Sequence, residues 1–484
     1  MTLGNSKKVN VFWHLAAICY ALILFGFNFV RIFDDNFWLD EAFSINLARM
    51  SFGEMLKTTA ADVHPPLYYA FLMLMRHLFG DYGWLFHLTS IIPYAIVMIF
   101  ILSVIWRSFG KETAFLMITF VSMMRSSIVY NVEVRMYSLA AMFVLFVFYN
   151  LYLIFKDNKL LNYFLFGFFS VCALYTHYCT MVPVIVLYLF LLAFTIVKKR
   201  KILRILILYL ATVAAYAPWM GIFISTFKRT TESFERDYIS PARGLVYFFW
   251  LRQEWYALII WLFFAVAVIL LVFYKIKGRK KEESLRHFLF EIRYDTFWLA
   301  GGVAASIGTL LTYEAASFLI RPCFSYKYLH PVIALLWLVF SVVLSKIRYG
   351  KKIMILLAVI TFFAALPMYS EIYETDSVSA ERSDKTKQLI SESMGKDDVL
   401  FTNIESFEWA VLQYYFPYKQ HHLSGNIEEI CDFAKEAPGL IFWSEELNQE
   451  KLQRLAEQKY KIELKCSSCV LGETEFYLYY IEKL

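Results

Sequence analysis

Residues 11–44 read VFWHLAAICYALILFGFNFVRIFDDNFWLDEAFS. The first twenty contain no Asp, Glu, Lys or Arg, and the next fourteen contain Asp34, Asp35, Asp40 and Glu41. A helix needs roughly 20 apolar residues to cross the hydrocarbon core of a bilayer. The stretch therefore reads as a membrane crossing that ends abruptly in an acid-bearing loop. It is longer than the apolar region of a cleaved signal, and no A-x-A site comes after it, so a retained first span is expected.

The pattern recurs along the chain. Residues 84–106, 136–155, 205–227 and 255–274 are also uncharged, and 160–197 runs for 38 uncharged residues, enough for two crossings with a turn near 177–180. Segments 296–313, 328–345 and 353–369 add three more, and 113–130 adds a weaker one that Arg125 interrupts. The expected architecture is a polytopic α-helical membrane protein with about eleven transmembrane helices. Composition agrees, with 59% hydrophobic and 18% charged residues in 484, against about 45–50% and about 25% for soluble domains. So apolar a chain is not disordered. Seven Cys is not a disulfide scaffold, and a net charge of +6 makes no case for nucleic acid.

Segment 65–80 decides the orientation of every later span. It is short and opens on Pro65-Pro66. With eleven spans and an inner N-terminus, the inner segments hold 22 Lys and Arg in 55 residues, and the outer loops hold 12 in 99. Cytoplasmic loops are the ones enriched in these residues. Segment 65–80 is therefore expected to lie in the outer interface, the N-terminus in the cytoplasm and the C-terminus outside. Composition changes after residue 370. Residues 371–484 alternate strand-like and helix-like segments, the pattern of a small α/β domain. The expected domains are thus 1–370, with an outer loop 31–83, and an extracytoplasmic 371–484. In an outer domain, Cys466 and Cys469 are expected to form a structural disulfide. No His or second Cys pair completes a zinc site there.

Outer-loop polar residues cluster at the membrane boundary. Asp40 and Glu41 come just after the first span. Asp62-Val63-His64-Pro65-Pro66-Leu67 sets an acid and a histidine before a double proline, which fixes two successive φ angles and can start a helix. Glu133-Val134-Arg135-Met136-Tyr137, His177-Tyr178 and the stretch Arg321 to Tyr328 lie in later turns on the same side. Ionisable groups pressed against a membrane are costly and are functional candidates. Plainer roles stay open. Asp34, Asp35 and Asp81 suit solvated acids, Glu133 and Arg135 a simple ion pair, and His64 a helix cap. His177 suits an interfacial polar residue, and Arg125, Arg321 and Lys327 suit headgroup contacts.

The pattern resembles the GT-C fold glycosyltransferases. It is nearest to the family of protein O-mannosyltransferases and lipid A aminoarabinose transferases, a glycosyltransferase family 39-like group with many bacterial members. The residues that carry the resemblance are Asp40-Glu41, Asp62-x-His64-Pro65-Pro66-Leu67, Glu133-x-Arg135-x-Tyr137 and the Arg321/Lys327-Tyr328 turn. It implies a multi-pass enzyme of the bacterial plasma membrane. Such an enzyme transfers a monosaccharide from a polyprenyl-phosphate donor to an acceptor on the outer face, with inversion. It implies Asp40 as catalytic base and Glu41 as its orienting neighbour. Asp62, His64 and Glu133 then line the sugar and acceptor pocket, with His177 in the neighbouring turn. Arg135, Tyr137, Arg321, Lys327 and Tyr328 hold the donor phosphate. Relatives often place Arg where this chain has Lys327, which offers a point charge and no bidentate fork. No D-x-D motif supports a metal, although some relatives bind one.

The chemistry suits these residue types. A phosphate leaving group needs cations beside it, and an acceptor hydroxyl needs a base. The acceptor, whether glycolipid, protein or wall polymer, is not legible, and neither is the sugar. Two other classes compete. A transporter or flippase of lipid-linked sugars would show polar residues at mid-membrane depth and inverted repeats. A polysaccharide polymerase or ligase would concentrate its site in a large late loop.

Overall fold

The computed structural model describes residues 3–233, 294–319, 325–346, 349–435 and 437–484. The chain packs as two units. The first comprises Met1–Val30, Gly53–Phe71 and His87–Tyr369, and the second Arg31–Phe52, Leu72–Phe86 and Ser370–Leu484.

The helices, in chain order, are α1 Leu3–Phe29, α2 Leu39–Arg49, α3 Phe52–Ala61, α4 Leu67–Phe79 and α5 Gly83–Phe100. Next come α6 Lys111–Met123, α7 Arg125–Tyr130, α8 Tyr137–Asp157, α9 Leu160–Thr176, α10 Met181–Val197 and α11 Ile202–Ser233. After the segment not described come α12 Tyr294–Leu319, α13 Ile333–Ser345 and α14 Gly350–Ser393. Among the described residues, seven helical segments are long and apolar enough to cross a membrane. The protein is a multi-pass membrane protein. α9 has the same apolar character at 17 residues. Segment 255–274 lies outside the described residues.

Burial separates inner from outer helices. Lys327–Ser345 is 89% buried and Tyr137–Asp157 78%, whereas Val11–Phe33, Ile202–Arg229 and Gly350–Ser393 are each 28% buried. The last three expose wide apolar faces, which only lipid can cover at no cost in hydration. α8 and α13 are inner helices, and α6 is buried along most of its length. A Cβ on Gly302 would come within 2.5 Å of Val339 and 2.6 Å of Phe148, so glycine there lets α12 approach both neighbours.

The turn between α9 and α10 falls at His177–Thr180, where the uninterrupted apolar run allowed one. Segment 113–130 is two helices, because Met124 adopts extended backbone between them. α4 begins directly after Pro66, whose carbonyl accepts from the Ala70 amide at 2.9 Å. Its 13 residues extend about 20 Å, short of the bilayer core of about 30 Å. α14 does not stop near residue 370. It continues to Ser393, because the change there is in side-chain polarity and not in helix propensity.

In the second unit, five strands form one sheet: β1 Val399–Thr402, β2 His421–Leu423, β3 Gly439–Trp443, β4 Tyr460–Leu471 and β5 Thr474–Lys483. Their order is β2-β1-β3-β5-β4, with β1 parallel to β2 and β3, and β5 antiparallel to β3 and β4. Helices α15 Ile427–Phe433 and α16 Gln449–Glu457 cover it around a core that includes Phe401, Ile430, Ile441, Trp443, Leu455 and Ile481. The segments expected as strands and helices between 399 and 481 are present. β2 is additional: its three residues show no alternation to read. β4 and β5 turn at Gly472 and Glu473, both at positive φ, as a two-residue hairpin of mirrored geometry requires. Cys466 and Cys469 form a disulfide across the irregular register of β4.

Of the acids expected to be solvated, Asp35 is exposed, whereas Asp81 and Asp34 are held by protein groups. Asp81 accepts from Arg49 at 3.0 Å and from Arg76 at 2.8 Å, and these partners hold its carboxyl below the usual range against the effect of burial. Asp34 is half-buried. Burial, aided by the charges of Asp376 and Asp35, raises its carboxyl to about 6 despite a bond from the Asn36 amide. A carboxyl raised in the folded state contributes stability at acid pH and loses it as pH rises from about 4 through about 6. Asp34→Asn, which keeps the acceptor for the Asn36 amide, should raise the thermal unfolding midpoint at pH 7.5. The gain should shrink towards zero at pH 4. An equal gain at both pH values would exclude the ionisation as its cause.

Candidate active site

The turn 131–136 between α7 and α8 carries Glu133 and Arg135. Side chains of α5 clamp its backbone. His87 Nδ1 bonds the Val132 carbonyl at 2.9 Å. Ser90 Oγ donates to the carbonyls of Glu133 and Arg135, and Ser138 Oγ returns a bond to Ser90 O at 2.8 Å. Asn131 Nδ2 reaches Val121 O at 2.9 Å. The turn thereby satisfies backbone groups that no helix ladder can take.

This clamp presents Arg135 inward. Only 2% of Arg135 is exposed, and it is among the largest fully buried side chains. Its Nη2 lies 3.3 Å from His64 Nε2, and His64 Nδ1 lies 3.1 Å from Asp62 Oδ2. The geometry assigns one tautomer: Nδ1–H donates to Asp62, and Nε2 accepts from Arg135. An imidazole thus couples a buried cation to a carboxylate. Burial alone would raise the Asp62 carboxyl. The hydrogen bond from His64, the Val63 amide and the charge of Arg135 outweigh it and hold the group below the usual range. Arg229 Nη2 donates to the Asp62 carbonyl at 3.1 Å, which fixes the loop from α11.

His177 adjoins this relay. Its ring centroid lies 5.4 Å from that of His64, 5.5 Å from Tyr137 and 5.9 Å from Tyr328. Its Nδ1 accepts the Cys179 amide at 2.9 Å. Nδ1 is therefore unprotonated, and the ring proton sits on Nε2. His177 is 3% exposed, and Nε2 has no hydrogen-bond partner among the described residues. Burial, then the nearby charges of Arg135 and Lys327, keep its pKa well below the ordinary value. The result is a neutral, desolvated N–H donor beside a buried guanidinium. A buried donor without a partner costs about 1–3 kcal/mol, and an oxygen acceptor entering here recovers that energy.

The first unit therefore brings together Asp62, His64, Arg135, Tyr137, His177 and Tyr328, with Lys327 close enough for its charge to act on His177. Glu133, on the same turn, is half-buried. Asp40 and Glu41 belong to the second unit, in the first turn of α2, where carboxylates complement the helix dipole. Asp40 is half-buried and Glu41 is 6% exposed; Ser44 Oγ donates to the Asp40 carbonyl at 2.8 Å. Arg321 lies outside the described residues. Among the described residues no group of three or more His, Cys, Asp and Glu side chains is arranged to hold a metal.

Sequence reasoning missed His87 and Ser90, which hold the Glu133–Arg135 turn, and His330. His330 is 1% exposed and stacks edge-on against Tyr130, with ring centroids 5.2 Å apart. His87, Thr89 and Ser90 form a short polar patch within the apolar span 84–106, and His330 lies within 328–345; such polar residues inside an uncharged run are the signal the sequence offered.

Comparison with known proteins agrees with the motif resemblance. Residues 63–219 match the model of the dolichyl-phosphate-mannose-protein mannosyltransferase family. The match includes His64, Glu133, Arg135, Tyr137 and His177, while Asp40, Glu41 and Asp62 precede it. No curated protein matches the chain. The fold is similar to that of ArnT from Cupriavidus metallidurans in the apo state, with 12% identity, coverage of 98% of each chain and a TM-score of 0.62. The same protein bound to undecaprenyl phosphate matches at 13% identity and a TM-score of 0.57, over 97% of this chain and 98% of that one. The expected GT-C architecture is thus the observed fold.

Replacing Asp62 by Asn removes the carboxylate that compensates Arg135. The variant should unfold at a lower temperature in detergent, with a loss of about 1–3 kcal/mol. Equal midpoints for variant and wild type would mean that Arg135 is compensated elsewhere.

Proposed function

We propose that the protein is a membrane glycosyltransferase that moves a monosaccharide from a polyprenyl-phosphate donor to an acceptor hydroxyl at the outer face of a bacterial plasma membrane. The single observation that carries this reading is a neutral, buried His177 whose Nε2–H has no hydrogen-bond partner among the described residues, near enough to the buried Arg135 for its charge to act on the ring. A guanidinium and a neutral donor, both out of water and in one cluster, suit a phosphate oxygen. The match of residues 63–219 to a family named for a lipid-phosphate sugar donor supports it. So does the similarity to an ArnT structure that holds undecaprenyl phosphate.

In this reading Asp40 is the general base. It takes the proton from the acceptor hydroxyl as that oxygen attacks the anomeric carbon. The bond from that carbon to the phosphate oxygen breaks on the opposite face, so the configuration inverts and polyprenyl phosphate leaves. No protein nucleophile is needed. Charge grows on the departing phosphate, where Arg135, Lys327, Tyr328 and the His177 donor stabilise it in a site with little water. The neutrality of His177 matters. An N–H donor needs no proton uptake to bind an anion, so its contribution persists at neutral and alkaline pH. Asp62 orients His64, and His64 orients Arg135. Glu41 orients the base, Glu133 and Tyr137 border the sugar, and Arg321 is a further cation for the phosphate. Residues 371–484 form the extracytoplasmic domain of the enzyme, and the N-terminus is cytoplasmic.

Two experiments test the assignment. A deletion strain compared with its parent by mass spectrometry of surface glycans and lipids should lack one sugar. Asp40→Asn should fail to restore it while inserting normally, and restoration by that variant would sink the assignment of the base. In purified protein, His177→Phe should weaken binding of undecaprenyl phosphate about tenfold, the cost of one hydrogen bond to a charged group. Unchanged affinity would remove His177 from the phosphate site.

A further inference from the structure

The helix that carries Asp40 is held by the C-terminal part of the chain. Along α2, residues 43, 46 and 49 fall at three-residue spacing and so on neighbouring turns. Phe43 packs edge-on against Trp409, with centroids 4.7 Å apart. Asn46, buried, donates from Nδ2 to the Ala410 carbonyl at 2.9 Å. Arg49 donates from Nη1 to the Tyr414 carbonyl at 3.2 Å and lies over the Tyr414 ring at 4.6 Å, while its Nε and Nη2 grip Asp81. All three partners from the C-terminal part lie in the helical segment 405–415, whose middle, Glu408–Leu412, is a π turn. Such a turn widens the helix locally.

The residues leading into α2 are held by the same unit. The Phe37 amide donates to the Tyr415 hydroxyl at 3.2 Å, and that hydroxyl donates to the Asp35 carbonyl at 3.2 Å. Asn36 Nδ2 donates to Ser379 at 3.0 Å, and Arg31 pairs with Asp376 at 2.7 Å. The hairpin tip closes on the same strand of chain: a Cβ on Gly472 would come within 2.6 Å of the Phe37 carbonyl. A domain that only captured an acceptor would not need directional bonds to the buried side chains of this helix.

We propose that residues 405–415 are a positioning element that sets the orientation of α2, and with it the base Asp40, through Asn46, Arg49 and Trp409. This deepens the transferase reading and rests on it. A helix end has little stiffness of its own, and a displacement of about 1 Å at a reacting group costs on the order of 100-fold in rate.

The test uses full-length protein in membranes of the deletion strain. The readouts are transfer of the sugar whose loss that strain reveals, hydrogen exchange of α2 amides, and binding of undecaprenyl phosphate. Trp409→Ala and Asn46→Ala should each lower turnover about 10–100-fold and speed α2 exchange at least tenfold, with undecaprenyl phosphate affinity changed less than twofold. Trp409→Phe, which keeps an aromatic edge against Phe43, should restore turnover to within threefold of wild type. Wild-type turnover together with wild-type exchange in Trp409→Ala overturns the proposal, as does an equal loss of lipid binding, which marks general unfolding. If wild-type membranes show no transfer, the transferase reading is what fails. The exchange result then still decides whether residues 405–415 hold α2.

Discussion

A guanidinium taken out of water is the constraint on which the first unit depends. Desolvating Arg135 costs several kcal/mol unless opposite charge and hydrogen bonds replace the lost water. His64 and Asp62 supply that replacement in series. Meeting it ties together parts of the chain that are distant in sequence. The loop before α4 must bring Asp62 to the turn before α8, and α5 must hold that turn by its carbonyls. The double proline stops the loop from continuing the preceding helix, and the Pro66 carbonyl starts the next one. The cluster is rigid because each member has its orientation set by another.

In the proposed reaction that arrangement has a chemical use. A cation already oriented and desolvated needs no reorganisation when an anion arrives, and this is the main source of electrostatic catalysis. His177 adds a donor whose proton is placed by a backbone amide. The Cys179 N–H occupies Nδ1 and leaves Nε2–H without a partner among the described residues. Low pKa, burial and tautomer agree with one another, since a protonated ring would have to place a second proton where an amide already points.

The second unit answers a different constraint. A short sheet with a small core gains by packing a further helix, and the loop segments 31–52 and 72–86 supply it. Acids that looked like ordinary solvated loop residues have structural partners there. Asp81 gathers Arg49 and Arg76. Asp34 sits among like charges and is held towards its neutral form. Periodicity and composition do not register such pairings, because the partners come from separate stretches of sequence.

Much of the membrane architecture was legible because a bilayer imposes a compositional rule on each span separately. The windows 84–106, 136–155, 205–227 and 328–345 needed no partner to be recognised. The turn at 177–180 was legible from length alone. The π turn in 405–415, the three-residue strand β2 and the continuation of α14 past residue 370 were not, since none leaves a local pattern. In the site, Asp62, His64, Glu133 and Arg135 stood out as charges at a membrane edge. His87 and Ser90 did not, because their work is to bond backbone carbonyls from within an apolar helix. The sequence by itself determined which segments are apolar enough to cross a membrane and which polar residues flank them, because hydration energy is set residue by residue. Only the tertiary structure decided that His64 bridges an acid to a buried cation, that His177 has an N–H with no partner among the described residues, and that α2 is gripped by residues more than 350 positions later. Hydrogen bonds depend on distance and angle between groups that the linear order keeps apart.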